Sequence, residues 1–186
     1  MKLSITRCPD KKKFRPWVKN AALFYAEELF TPKMMDNIFV HIHFNDKIDA
    51  YGYASVEDYN DSGKPRDFLV ELYPHLSAYD ILRTLAHEMV HVKQYAYSEM
   101  NEQGNRWKGK RVQSLDYWSE PWEVEAHGME PGLFTKFAVK HKLWEVFQHC
   151  QDPDMPIIPE ELGWIEKEEN ILTFKIETEE NTYIQL

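Results

Sequence analysis

The spacing of apolar residues predicts an amphipathic helix near the start of the chain. Over residues 16–31, apolar side chains recur every three or four positions, at Val18, Ala22, Tyr25 and Leu29. Pro16 suits the first turn of a helix, where a backbone N–H has no partner in any case. Pro32 stops the run, because proline cannot continue a helix. We therefore expect a helix over residues 16–31.

Strict alternation then replaces the helical spacing and predicts three strands. Residues 37–44 place Ile38, Val40, Ile42 and Phe44 on one face, which is typical of a half-buried strand. Residues 50–56 and 67–73 predict two more strands, with a polar loop at residues 60–65 between them. If the strand at 67–73 lies at the edge of the sheet, it is a candidate for pairing with an extended peptide.

A second helix has a clear start signal and a long apolar stripe. Ser77 and Asp80 form an S-x-x-D capping pattern, so the helix should run from about Ala78 to Tyr97. Its core face is predicted to hold Leu82, Leu85, Met89, Val92 and Ala96.

The middle of this helix carries the most specific chemical pattern in the chain, His87-Glu88-Met89-Val90-His91. Positions i and i+4 of a helix lie one above the other, so the two imidazoles can bind one tetrahedral zinc ion. Glu88 points about a quarter-turn away, where it can act as a general base for a metal-activated water without being a ligand. The pattern predicts both a metal site and a hydrolytic mechanism.

The second half of the chain predicts a loop, helices and a small appended element. Residues 101–119 read as loop, with a short hairpin or exposed turn at residues 106–111. A helix should start at Pro121 and weaken at Gly132, and a further helical segment follows over residues 133–150. Three prolines in residues 152–159 then predict a boundary. We expect one domain over residues 1–150 and an appendage over 151–186, with strands at 171–176 and 181–186.

Composition excludes several classes of protein. A net charge of −9 argues against nucleic acid as a main partner. No apolar run approaches the roughly 18 residues needed to span a bilayer, and the first ten residues lack the apolar segment of a signal peptide. We therefore expect a cytoplasmic protein with no membrane partner. Cys8 and Cys150 lack metal-ligand spacing and are expected to be free thiols.

A catalytic zinc usually has three protein ligands, so a third must lie elsewhere in the chain. Gln94 and Tyr97 stand where a metzincin would have a glycine and a third histidine, which excludes that class. The segment from Glu123 to His127 contains E-x-x-A, the pattern that carries the third ligand in gluzincins. With the His-Glu-x-x-His helix, residues 16–145 thus resemble the small gluzincin-like metallopeptidases, often bacterial or phage-encoded, and more loosely the SprT-like domains.

The resemblance implies an α+β, zincin-like metalloprotease fold: an N-terminal helix, a three-stranded sheet, the His-Glu-x-x-His helix, and a following helix with the third ligand. It also implies zinc-dependent hydrolysis of a peptide or protein substrate, with Glu123 as the third ligand. His127 stands where the family usually has Asp or Asn, so His127 and Glu125 remain alternative ligands. Tyr117 and Tyr95 are the candidate donors to the oxyanion, and Tyr117 is the one we assign.

Two other functions compete with that of a peptidase. The fold could serve as a protein-binding module with weak or no activity, or as a SprT-like protease that acts near nucleic acid. Retention of Glu88 favours catalysis, because a purely structural zinc needs no general base. The negative net charge disfavours the nucleic-acid reading.

Overall fold

The computed structural model describes residues 1–113, 115–146, 165–167 and 171–173. The chain divides into two units, Met1–Cys150 and Gln151–Leu186. The first is an α+β unit built around one mixed sheet, and it contains every candidate site residue. Within the described part of the chain, no helix has the length and apolar character needed to cross a membrane.

The sheet has four strands, one more than the sequence predicted. The strands are Lys2–Thr6 (β1), Phe39–Phe44 (β2), Gly52–Tyr59 (β3) and Pro65–Leu72 (β4), in the order β1-β2-β4-β3. Both β1 and β4 run parallel to β2, whereas β3 is antiparallel to β4. The expectation of three strands is wrong because β1 offers only Leu3 and Ile5 in alternation, too short a pattern to stand out. Its hydrogen bonds come from β2, a long-range partner.

The strand order also corrects which strand lies at the edge next to the site. The strand β4, which we considered for pairing with a peptide, lies between β2 and β3 and is fully paired. Among the described residues, the edge strands are β1 and β3, and β3 is the one that packs against α3 beside the site. The order of strands along the chain does not fix their order in the sheet, so only the tertiary arrangement shows which strands lie at its edges.

Helices Arg15–Leu29 (α1) and Ala78–Ala96 (α3) pack against each other, and α3 also packs against β3 and β4. A short helix, Pro32–Met35 (α2), follows α1. The core between α3 and the sheet includes Leu82 and Leu85, both fully buried. Burying a leucine side chain contributes about 2 kcal/mol. The apolar stripe predicted for α3 is therefore what fixes the helix on the sheet.

The helix after the loop is longer and more continuous than predicted. It runs from Pro121 to His141 (α4) without a break at Gly132 and also contains Pro131. An internal proline costs roughly 3 kcal/mol in an isolated helix. Here the segment directly after it is anchored by buried side chains, which are Leu133, Phe134, Phe137 and Ala138. Lys142 ends the helix in a left-handed conformation, with φ of 48°.

The remaining elements are short. Residues 106–111 form the predicted hairpin, with Arg106–Trp107 (β5) antiparallel to Lys110–Arg111 (β6). The predicted helical segment over 133–150 is divided between α4 and a short helix, Leu143–Val146 (α5), and residues 147–150 lie outside the described residues. In the second unit, Ile165–Lys167 (β7) pairs with Ile171–Thr173 (β8). The strand predicted at 181–186 lies outside the described residues.

Candidate metal centre

The helix α3 presents His87, Glu88 and His91 from its buried middle. Ser77 caps the helix as predicted, because its hydroxyl accepts a hydrogen bond from the Asp80 N–H at 3.0 Å. The capped helix places the three side chains between the sheet and α4, where they are only 5–8% exposed. Histidine and glutamate are seldom buried so completely without a partner or a metal ion.

Glu123, in the first turn of α4, completes a triangle with the two histidines. His87 Nε2 and His91 Nε2 lie 3.1 Å apart, and the Glu123 carboxylate oxygens lie 3.2 Å from the first and 3.3 Å from the second. Ligands at 2.0–2.1 Å from a tetrahedral zinc would be separated by about 3.3–3.4 Å. His87 faces Oε2 of Glu123 and His91 faces Oε1, so the two imidazoles and the carboxylate converge at close to the spacing of ligands on one metal ion.

The hydrogen bonds of both imidazoles leave their Nε2 atoms free to bind a cation. Glu130 Oε2 lies 3.0 Å from His87 Nδ1, and an ionised carboxylate only accepts, so that nitrogen carries the proton. Gln94 Oε1 lies 2.8 Å from His91 Nδ1 and plays the same part. In the neutral rings, two Nε2 lone pairs therefore face each other, close to a buried oxygen of Glu123 that has no hydrogen-bond partner. A zinc ion would satisfy all three atoms.

The electrostatics of the cluster favour positive charge. Burial alone lowers the pKa of His87, but its interactions with the Glu123 and Glu130 carboxylates outweigh burial and raise that pKa to about 9. Burial also lowers the pKa of His91, and the interaction with Glu123 again outweighs burial and raises that pKa. Burial opposes ionisation of Glu123, yet the two histidines hold its pKa well below the usual range. The carboxylates beside the two imidazoles therefore favour positive charge within this cluster.

Gln94 and Glu130 are site residues that the sequence reasoning missed. Glu130 lies two helical turns after Glu123 on α4, so it shares a face with that residue, and it also binds the Arg83 guanidinium. Gln94 occupies the position at which a metzincin has glycine, and it lies one helical turn after His91. Glu130 is seven residues after Glu123, and Gln94 is three residues after His91. This helical spacing was the signal available in the sequence.

Glu125, an alternative third ligand, instead helps to orient Gln94. The Gln94 amide donates to Trp122 O at 2.9 Å and to Glu125 Oε2 at 3.0 Å. Both acceptors lack hydrogens, so the amide oxygen must face His91. Glu125 also pairs with Lys93 at 3.3 Å and Lys108 at 2.9 Å. Its carboxylate is thus committed to a network beside the metal centre.

His127, the other alternative ligand, lies at the rim of the site. Its ring is 4.5 Å from that of His87, and its Nε2 lies 3.1 Å from the Tyr117 hydroxyl. His87, His127 and Glu130 form a second group of close donors. There, however, the guanidinium of Arg83 already supplies positive charge to Glu130. Of the acidic side chains in the described part of the chain, only Glu123 meets both histidines of α3 at ligand spacing.

We expect Gln94→Leu to weaken zinc binding by about 10- to 100-fold, the usual cost of losing a group that orients a metal ligand. Leucine has similar volume but leaves His91 Nδ1 without an acceptor, so the ring loses its tautomer and orientation. Competition with a fluorescent zinc chelator measures the affinity. Gln113→Leu, at an exposed position outside the network, is the matched control. An unchanged affinity in Gln94→Leu would show that the amide does not orient His91.

Glu88 lies against the main chain at the start of β3. A Cβ added to Gly52 would be 2.6 Å from both Glu88 Oε1 and Thr84 Cγ2, closer than real contacts allow. Burial raises the pKa of Glu88 to about 7, although His91 and His87 act to lower it. A carboxyl group that titrates near neutral pH suits proton transfer in both directions. Gly52 thus provides the space in which Glu88 sits.

We expect Gly52→Ala to lower any hydrolytic activity by about 100-fold while zinc content stays unchanged. The added methyl group must displace the Glu88 carboxylate or push β3 away from α3, and a shift of about 1 Å in a catalytic group has such a cost. Gly132→Ala is the matched control, because its new Cβ would meet nothing within 4 Å. Kinetics and metal analysis of both variants test this. Equal activity in Gly52→Ala and Gly132→Ala would contradict the positioning role.

The two candidate tyrosines occupy different environments beside the site. Tyr117 is 47% exposed and its hydroxyl contacts His127. Tyr95 is buried, and burial, with Tyr53 and the nearby Glu88 and Glu123 carboxylates, raises its pKa to about 12. Both phenols therefore stay protonated at neutral pH and are able to donate. Tyr117 is the more accessible of the two.

Comparison with protein-family models, curated proteins and solved structures gives no match for this chain. The case for a function therefore rests on the geometry and chemistry of the site itself.

Proposed function

We propose that the protein is a zinc-dependent peptidase whose Met1–Cys150 unit has a zincin-like fold. The observation that carries the proposal is the convergence of three buried side chains: His87 and His91 have Nε2 atoms 3.1 Å apart, and each lies within 3.3 Å of one Glu123 oxygen. A further buried carboxylate, Glu88, lies on the helix that carries the two histidines. A structural zinc site normally has four protein ligands, whereas three ligands leave a position for water or substrate. The donor set and the general base together favour hydrolysis.

Zinc is the metal that best suits these donors. Two imidazole nitrogens and one carboxylate are the ligand set of catalytic zinc sites in gluzincins, and magnesium or calcium would require mainly oxygen. When bound, zinc would polarise a carbonyl group and lower the pKa of water to about 7. Cys8, the one cysteine among the described residues, is not part of this cluster.

Within this proposal, the side chains of the site divide the remaining work. Glu88 takes a proton from the attacking water and returns it to the leaving amine. Gln94 and Glu130 hold the two imidazoles in the tautomer that presents Nε2. Tyr117 donates a hydrogen bond to the oxygen that gains negative charge, because its hydroxyl is at the rim and remains protonated.

Among the described residues, no strand pairs with the outer side of β3, and this edge offers a way to align a peptide substrate. Tyr73 N–H donates to Tyr51 O at 2.9 Å, so these two residues form a hydrogen-bonded pair. Gly52 is next in the register, opposite Leu72, and its N–H and C=O therefore point away from β4. An extended peptide that pairs with Gly52 would pass beside Glu88. The resulting main-chain recognition is independent of substrate sequence.

Cleavage of a proteome-derived peptide library by the zinc-loaded protein, read by mass spectrometry, tests the proposal. We expect new termini that disappear when a chelator removes the metal and return when zinc is added back. Absence of zinc-dependent termini would contradict the proposed peptidase activity.

A further inference from the structure

Exposed apolar side chains are concentrated in the segment that contains Glu123, the proposed third ligand. The described residues include nine exposed large hydrophobic side chains, and four of them, Leu115, Tyr117, Trp118 and Val124, lie in the segment 115–124. Glu123 is in this same segment. Clustered exposed apolar groups on a protein surface mark binding sites more often than scattered ones do. Trp118 is the most exposed of the nine, at 71%.

Trp118 is exposed but held in a defined orientation. Its indole stacks on the His127 ring, with centroids 5.0 Å apart and an angle of 29° between planes. Tyr117 contacts it edge-on at 5.1 Å and also bonds to His127. The backbone is held as well, because Ser119 N–H and Oγ both bond to Asp116. A rigid exposed aromatic ring can bind a partner with little loss of side-chain entropy.

The same stack connects the indole to the metal centre. His127 lies between Trp118 and His87, and its ring is 4.5 Å from that of His87. One imidazole thus separates the exposed indole from a metal ligand. An extended peptide advances about 3.3–3.6 Å per residue. A side chain within one to three residues of the scissile bond can therefore reach the outer face of Trp118.

The charges around Trp118 indicate what kind of group it contacts. Residues 112–124 contain Asp116, Glu120 and Glu123 and no lysine or arginine. This segment therefore carries only negative charge, which disfavours phosphates and acidic side chains, so a nucleic acid is a poor match for it. An aromatic or large aliphatic side chain matches the flat apolar surface, and contacts between aromatic rings are favourable beyond the area that they bury.

We propose that Trp118, backed by His127 and Tyr117, is a specificity-determining residue that receives a large apolar side chain next to the scissile bond. The assignment rests on the proposed peptidase function for the position of the peptide. It adds a substrate class, namely peptides with an aromatic or large aliphatic residue close to the cleaved bond.

Binding of short peptide hydroxamates to the zinc-loaded protein tests this proposal without requiring turnover. The probes are identical except for one side chain, which is Phe, Ala or Asp, and calorimetry gives each affinity. We expect the wild type to favour Phe over Ala by about tenfold, with Asp bound most weakly. Trp118→Ala should reduce the preference for Phe to about twofold or less, and Trp118→Phe should retain part of it. Trp144→Ala, which removes another exposed tryptophan, should leave the preference unchanged.

Zinc content is measured in every variant to confirm that the metal site is intact. A wild type with no preference for Phe, or with no hydroxamate binding, would overturn the proposal, as would a preference that survives in Trp118→Ala. Binding of a single-stranded oligonucleotide that depends on Trp118 would assign the indole to nucleic acid instead. A Phe preference without any peptide cleavage would leave the role of Trp118 standing and contradict hydrolysis. Cleavage without the preference would support hydrolysis and overturn the role of Trp118.

Discussion

Glu88→Gln is expected to abolish peptide hydrolysis while zinc and fold remain in place. Glutamine is nearly isosteric and can still hydrogen-bond to the attacking water, but it cannot accept a proton from it. General-base assistance contributes roughly 10²- to 10⁴-fold. Glu88 is not one of the three converging donors, so metal affinity should change little.

The fold should tolerate this replacement, because an ionised carboxylate at this position is unfavourable. Burial raises the pKa of Glu88 to about 7, above its ordinary value of 4.5. A raised carboxyl pKa means that ionisation destabilises the folded state as pH rises above the unfolded pKa. A neutral amide removes that effect, so in metal-free protein at neutral pH we expect Glu88→Gln to be at least as stable as the wild type in urea unfolding.

The assay is cleavage of a peptide library with zinc present, and Glu57→Gln, at an exposed position of β3, is the matched control. Undiminished cleavage by Glu88→Gln would remove Glu88 from the mechanism. If neither wild type nor variant cleaves, but both bind the same protein partner equally, the fold serves as a binding module. One substitution therefore separates the two leading functions.

His91→Ala is expected to reduce bound zinc from about one ion per chain to close to none. The substitution leaves two protein donors. It also removes the imidazole that Gln94 orients through a 2.8 Å hydrogen bond. Elemental analysis after dialysis against trace zinc measures the stoichiometry. His87→Ala should behave in the same way, because each imidazole contributes one Nε2 atom to the triangle.

Two controls accompany the histidine variants. His75→Ala changes an exposed histidine outside the cluster and should keep full zinc content. Replacing both Cys8 and Cys150 by serine should also keep it, because neither cysteine is expected to be a ligand. Full zinc content in His91→Ala would show that the metal binds elsewhere, and loss of zinc in the double serine variant would show a cysteine-containing site.

The sequence by itself determined the features that depend only on residues close together along the chain. The extent of α3, its Ser77 cap and the shared face of His87 and His91 all follow from helical spacing, which is a property of the local backbone. The strands β2, β3 and β4 were recognisable for the same reason, since alternation is visible within each one. The strand β1 was missed because it has only two apolar positions and depends on β2 for its hydrogen bonds.

Only the tertiary structure decided which residues meet across elements. The sequence left Glu123, Glu125 and His127 open as third ligands, and the packing of α4 against α3 brings Glu123 to both Nε2 atoms. The same packing places Glu130 on His87 and Glu125 on Gln94. Likewise, β4 inserts between β2 and β3, so among the described residues β3, and not β4, lies at an edge of the sheet. The physical reason is that these contacts depend on how whole helices and strands are rotated and ordered, and local periodicity carries no information about either.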